Sequence, residues 1–367
     1  MTDPRIERLA RTLVEYSVEI QPGDTVMLTG DINGLPLLRE TYRAVVRAGG
    51  LPVAALADET MNNILLRDGS QEQIEWISPL ETWAAETAQV LIAIRASGNT
   101  RSGTSIDPAR VSQRAKARTA LSRTRFARSA SGEQRWTLTL FPTEAHAQEA
   151  DMSLEEFEQF VYGATFCDQP DPVARWRALG ADQQRYVDWL RGRKRVAVRG
   201  PNVDLTLSIE GRTFINSDGK HNMPSGEIFT GPVEDSVNGW VRFTYPAIVA
   251  GRSVEGVELR FEDGRVVSAR AQKNEDFLLA QIDTDAGARY LGEFAIGTNF
   301  GIQRFTGNIL FDEKIGGTIH MALGRGYPET GSKNESAIHW DMICDMRQGG
   351  EIVVDGDLLY RDGRFAF

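Results

Sequence analysis

Residues 338–343 read IHWDMI. Side chains in a β-strand alternate between faces with a period of two, so His339 and Asp341 share one side and Ile338, Trp340 and Met342 share the other. Read as a strand, the stretch has one apolar face and one face that offers an imidazole and a carboxylate. The same letters suit an edge strand with its polar side in water and a strand that carries half of a metal site. What else can join His339 and Asp341 decides between the two.

Three more segments upstream have the same texture: PSGEIFTGPVEDSVNG (224–239) with Glu227, LGEFAIGTN (291–299) with Glu293, and DEKIGGTIHMALGRGYPETGS (312–332) with His320. Each sets an ionisable group among apolar residues and glycines, where burial costs several kcal/mol unless the group is paired or coordinated. Taken singly, Glu227 reads as a turn cap beside Gly226, Glu293 as half of an ion pair, and His320 as a core histidine. Taken together they suit a divalent cation, and mixed imidazole and carboxylate donors accept zinc, cobalt, manganese or iron(II). No HExxH helix and no GxSxG elbow competes with this reading. Cys167 and Cys344 lie in no nucleophile motif and are too far apart for a zinc knuckle.

The first half has a different rhythm. In PRIERLARTLVEYSV, Ile6, Leu9, Leu13 and Val14 recur at helical spacing, and GDTVMLTG follows as an apolar strand. LPLLRETYRAVVRAGG reads as a helix closed by glycine, and PVAALA and QVLIAIRA as further buried strands. Such alternation predicts an α/β domain with a parallel sheet covered by helices. It lacks GxGxxG and GxxxxGK[ST], so no cofactor-binding residues are expected there. Residues 101–128, rich in arginine, predict a basic helix that is solvated or forms an interface, and a lone Phe126 makes no aromatic interleaving for stacking on bases. Ser153 and Glu156 predict a capping box, and a long helix follows over DPVARWRALGADQQRYVDWLRGRK.

From about residue 194 the pattern becomes β, with a hairpin signalled by Glu262-Asp263-Gly264 and one interrupting helix near 274–284. The length suggests two domains: an α/β N-terminal domain over 1–190 and an α+β, mostly β catalytic domain over 191–367. Forty-one Lys and Arg against 51 Asp and Glu give a formal charge of −10, which argues against a general nucleic-acid or anionic-membrane binder. No apolar run approaches the roughly 20 residues of a membrane span, and a cytoplasmic protein is expected.

GEIFTGPVEDSVNG, LGEFAIG, GGTIHMALGRGYPETG and NESAIHWDMICD, in this order and spacing, resemble the thermophilic-type metallo-aminopeptidases of the aminopeptidase T and aminopeptidase S family. QPGDTVML and PTEAHAQEADMSLEEFE extend the resemblance into the first half. It implies release of N-terminal amino acids from peptides and a homodimer with an enclosed active site. It also implies two divalent ions (zinc, cobalt or manganese) held by Glu227, Glu293, His320, His339 and Asp341. Glu293 would bridge the ions and take part in proton transfer, and Tyr327 falls on the family's catalytic tyrosine. Many relatives place the histidine five residues after the glutamate of a DEN motif, whereas Glu313 and His320 are seven apart here, so Glu313 stays outside the ligand set. A ring-cleaving dihydroxypyridine dioxygenase group resembles the same family. Its chemistry would need only His320, His339 and Asp341 around one iron(II), and the presence of both Glu227 and Glu293 favours the peptidase.

Overall fold

The structure is a computed structural model that describes residues 3–249 and 251–367. The chain forms two compact units, one running to Arg175 and including Gly219–Pro224, the other made of Trp176–Asp218 and Ser225–Phe367. The division falls inside the helix Pro172–Leu190, ahead of the boundary expected near residue 190.

In the first unit a five-stranded parallel sheet runs in the order Leu51–Ala57, Thr25–Asp31, Val90–Arg95, Arg135–Leu140, Asn222–Met223. The strands Thr25–Asp31 and Val90–Arg95 are largely buried, as their continuous apolar runs predict. Leu51–Ala57 corrects its reading: among the described residues it pairs only with Thr25–Asp31, and Leu51, Val53 and Leu56 are exposed. An apolar run does not distinguish an edge strand from a central one, because strand order is a property of the whole sheet. The fifth strand comes from the Gly219–Pro224 excursion, where His221 packs on Trp136 at 4.7 Å.

The capping box at Ser153 forms: its hydroxyl accepts from the Glu156 amide, and the Glu156 carboxylate accepts from the Ser153 amide. The basic stretch becomes two helices, Pro108–Ala117 and Thr119–Ala130. Their guanidiniums close the ends of other helices, which otherwise leave their last carbonyls unsatisfied. Arg110 donates to the Leu66 and Gly69 carbonyls, Arg114 to Ile74 and Trp76, and Arg128 to Ala85 and Ala88. Arg118 pairs with Glu81 and Arg101 with Glu149.

The second unit is antiparallel. An eight-stranded sheet contains the expected hairpin, Glu258–Glu262 against Arg265–Arg270. Its two-residue turn, Asp263-Gly264, has positive φ at both positions (46° and 79°), the backbone that matches the twist of the flanking strands. The expected helix spans Glu275–Ile282. A five-stranded sheet runs in the order His339–Asp345, Thr318–Gly324, Leu291–Gly297, Glu227–Thr230, Ile215–Ser217.

One face of this smaller sheet contributes Ile228, Phe294, Ile296, Ile319, Met321, Leu323, Trp340, Met342 and Cys344 to an apolar cluster shared with Val196, Val198, Leu205, Val241, Leu259 and Phe261 of the larger sheet. Each large side chain buried there contributes on the order of 1.5–3 kcal/mol. That burial fixes register, because a slip of one residue would turn every apolar side chain outward. Among the described residues no helix is long and apolar enough to cross a membrane.

Candidate metal centre

The opposite face of the smaller sheet follows from the same alternation. Cross-strand partners share a face, and here the partners are Ala295 with Phe229, Gly297 with Glu227, Glu293 with Ala322, Ala295 with His320, Ala322 with Asp341, and Gly324 with His339. All five ionisable residues singled out in the sequence therefore project from one face of four adjoining strands. Between them stand only small residues, Ala295, Gly297, Ala322 and Gly324. Gly297 cannot be larger: a Cβ there would lie 2.3 Å from the Ile315 carbonyl oxygen. A register shift between Leu291 and Glu293 marks a β-bulge, a device that re-aims side chains next to sites.

Glu293 lies between the two histidines. Its Oε1 is 3.3 Å from His320 Nε2 and its Oε2 is 3.4 Å from His339 Nε2. His320 Nε2 is also 3.4 Å from Glu227 Oε2, and His339 Nε2 is 3.4 Å from Asp341 Oδ1. Donor atoms converge in three groups, Glu227–Glu293–His320, Glu293–His339–Asp341 and Glu313–His320–Asp341, each with its atoms within 4.8 Å of one another. Among the described residues no such group unites His320, His339 and Asp341. Glu313, left outside the ligand set by its spacing, does reach the cluster. Tyr327 stands at the rim, 39% exposed, with its ring 5.3 Å from that of His339 and 5.4 Å from that of Phe229.

Supporting contacts aim these groups. His339 Nδ1 is 2.7 Å from the Arg325 carbonyl oxygen, which fixes the tautomer with a proton on Nδ1 and leaves the Nε2 lone pair facing the carboxylates. Gln183, fully buried, donates its amide to the Glu227 carbonyl at 3.1 Å and accepts from the Thr298 hydroxyl at 2.7 Å. Lys314 is also fully buried; its ammonium pairs with Glu313 and stands 3.7 Å from Glu227 Oε1. Neither Gln183 nor Lys314 stands out in the sequence, since each sits in an unremarkable polar context and only the fold delivers it to the site.

Electrostatics follow from this packing. Burial alone would raise the Glu293 carboxyl, but hydrogen bonds from His320 and His339 outweigh it and hold the group below the ordinary range. Asp341 is likewise held down, against burial, chiefly by His339. Burial would lower both histidines, yet the acids around them win: His320 is raised, mainly by Glu293 and Glu227, and His339 is raised to about 11, mainly by Asp341. Without a metal the His339 imidazole therefore stays protonated at neutral pH, and His320 is pushed in the same direction. A metal ligand must give up that proton, so uptake displaces protons and tightens as pH rises. Burial and the nearby carboxylates push the Tyr327 phenol well up, which keeps it a hydrogen-bond donor.

The residues fit a divalent cation on the structure's own terms. Buried polar atoms are ordinarily hydrogen-bonded, yet Glu227 Oε2 and Asp341 Oδ1 are buried without a hydrogen bond and face the same imidazoles. Orphaned anionic acceptors that converge with imidazole nitrogens, which become ligands on losing a proton, make a cation site.

A family model described as thermophilic metalloprotease (M29) matches residues 2–365. The chain belongs to this family. Its members are metal enzymes, so a divalent metal is part of the protein's equipment. Among curated relatives, Aminopeptidase 2 of Geobacillus stearothermophilus is 28% identical and covers 100% of this chain and 98% of its own. Among solved structures, wild-type AmpT from Thermus thermophilus superposes with a TM-score of 0.86 at 24% identity, over 99% of both chains. A 2,5-dihydroxypyridine dioxygenase from Pseudomonas putida shares the fold more distantly, with a TM-score of 0.54 at 12% identity over 98% of this chain and 96% of that one.

Proposed function

We propose that this protein is a metal-dependent aminopeptidase that releases N-terminal amino acids from peptides, with Glu227, Glu293, His320, His339 and Asp341 holding two divalent ions. The observation that carries the reading is the convergence of these five donors on one sheet face in a member of a metalloprotease family. Zinc, cobalt and manganese all suit the donor set. Two overlapping groups that share Glu293 support two positions bridged by its carboxylate.

Bound there, divalent ions would supply a Lewis acid for the scissile carbonyl, an anchor for the substrate's α-amine and a lowering of a water's pKa towards ~7. The chain's own residues do the rest. Glu293, held as a carboxylate, is in the state that a bridging group and a proton acceptor need. His339, fixed through Arg325, keeps Nε2 directed into the site. The Tyr327 phenol, protonated and beside His339, donates a hydrogen bond to the oxyanion that forms from the scissile carbonyl. Apolar packing behind the sheet fixes the register of the strands that carry these donors.

Iron(II) dioxygenase chemistry through His320, His339 and Asp341 is not favoured: these three do not form one group of mutually close donors, and Glu227 and Glu293 would be superfluous. A cytoplasmic homodimer is part of the same reading; the family resemblance supports the dimer, and two buried free cysteines suit a reducing compartment.

Exopeptidase action is tested by comparing leucine p-nitroanilide with its N-acetylated form on metal-replete protein. Hydrolysis confined to the free amine is expected, because only a chain end presents an amine beside the carbonyl. Equal rates on both would mean the site does not read the amine, and the aminopeptidase assignment would fall.

A further inference from the structure

Lys314 is the one lysine of the described residues that is entirely buried, and it sits inside an anionic cluster. A buried ammonium persists only where its charge is matched. Glu313 matches it, and this pair is internally neutral. Glu227, Glu293 and Asp341 remain as three carboxylates for metal. Glu227 is divided between two partners: Oε1 faces the Lys314 ammonium at 3.7 Å, and Oε2 faces His320 Nε2 at 3.4 Å. The Lys314 contact is an ion pair beyond hydrogen-bond distance, and Oε2 is buried without a hydrogen bond. A cation at the Glu227–Glu293–His320 group thus competes with a fixed positive charge for one carboxylate. Among the described residues no ammonium lies within ion-pair distance of Asp341, and Lys314 acts on it only from farther away.

We propose that Lys314 is a built-in cation of the centre that makes its two metal positions unequal, weakening the one formed by Glu227, Glu293 and His320. This rests on the two-ion reading above. Like charges in a water-poor site repel more strongly than in solvent, so the position beside Lys314 fills second.

The test is cobalt(II) titration of the chelator-stripped full-length protein, read by visible absorption and calorimetry. The intact protein is expected to bind two ions in steps at least about tenfold apart in dissociation constant, one decade being about 1.4 kcal/mol. Lys314→Met should tighten the second step about tenfold and leave the first in place, whereas Lys314→Arg should keep both. Because Lys314→Met leaves Glu313 without its partner, Lys314→Met combined with Glu313→Gln guards against a folding defect and should tighten the same step. Glu227→Gln should remove the second step alone. Two ions bound in steps that Lys314→Met does not alter, or alters by loosening the second, would overturn the inference and leave the aminopeptidase reading standing. A single ion bound by every variant would overturn the two-ion reading, and this inference with it.

Discussion

Replacing Glu293 with glutamine is expected to reduce kcat/KM by roughly 10²–10⁴-fold, the range for loss of a positioned acid–base group. Glutamine has the same shape, so the strand Leu291–Gly297 and its pairing with both neighbours should survive. What is lost is specific. The carboxylate turns one oxygen to His320 and the other to His339, and the amide can offer only one oxygen, with no charge. Metal content per chain should fall together with activity, and circular dichroism should be unchanged. A Glu293→Gln protein within about threefold of the parent in both activity and metal content would remove Glu293 from the centre.

Tyr327→Phe is expected to lower kcat by about 10²–10³-fold, the cost of one oxyanion donor, with little change in KM. The ring stacks near Phe229 and His339 and would remain in phenylalanine, so only the hydroxyl is tested. The phenol is driven to stay protonated by burial and by Glu293, Asp341 and Glu227, which suits a donor and not a base. Steady-state kinetics separate the outcomes: a raised KM at unchanged kcat would make Tyr327 a wall of the binding site, and no change in either would take it out of the mechanism.

The candidate site was legible where it obeyed a local rule. His339 and Asp341 share a face because a strand has a period of two, and the apolar residues Trp340 and Met342 between and beyond them lie in the core as the alternation requires. The Asp263-Gly264 hairpin and the Ser153 capping box were equally local. Features set by tertiary placement were not legible. Glu313 caps the C-terminus of the helix Ile309–Asp312 and comes near His320 and Asp341 through space, which its spacing along the chain does not show. Gln183 lies on a helix whose polar residues look alike until one of them meets the Glu227 carbonyl. Lys314 could have been flagged only by its position between an acid and the apolar-glycine run IGG. Leu51–Ala57 carries the apolar letters of a central strand and stands at the edge, because pairing partners, not composition, decide coverage.

The central claim is that hydrolysis depends on metal held by the five donors on the small sheet. It is tested most directly by following leucine p-nitroanilide hydrolysis by chelator-stripped protein against added equivalents of zinc, cobalt or manganese per chain. The account predicts an inactive stripped protein and activity that rises as the second equivalent fills. Full activity without metal would contradict it. So would a protein that no divalent ion restores to hydrolysis but in which one iron(II) per chain supports oxygen uptake with a hydroxylated pyridine.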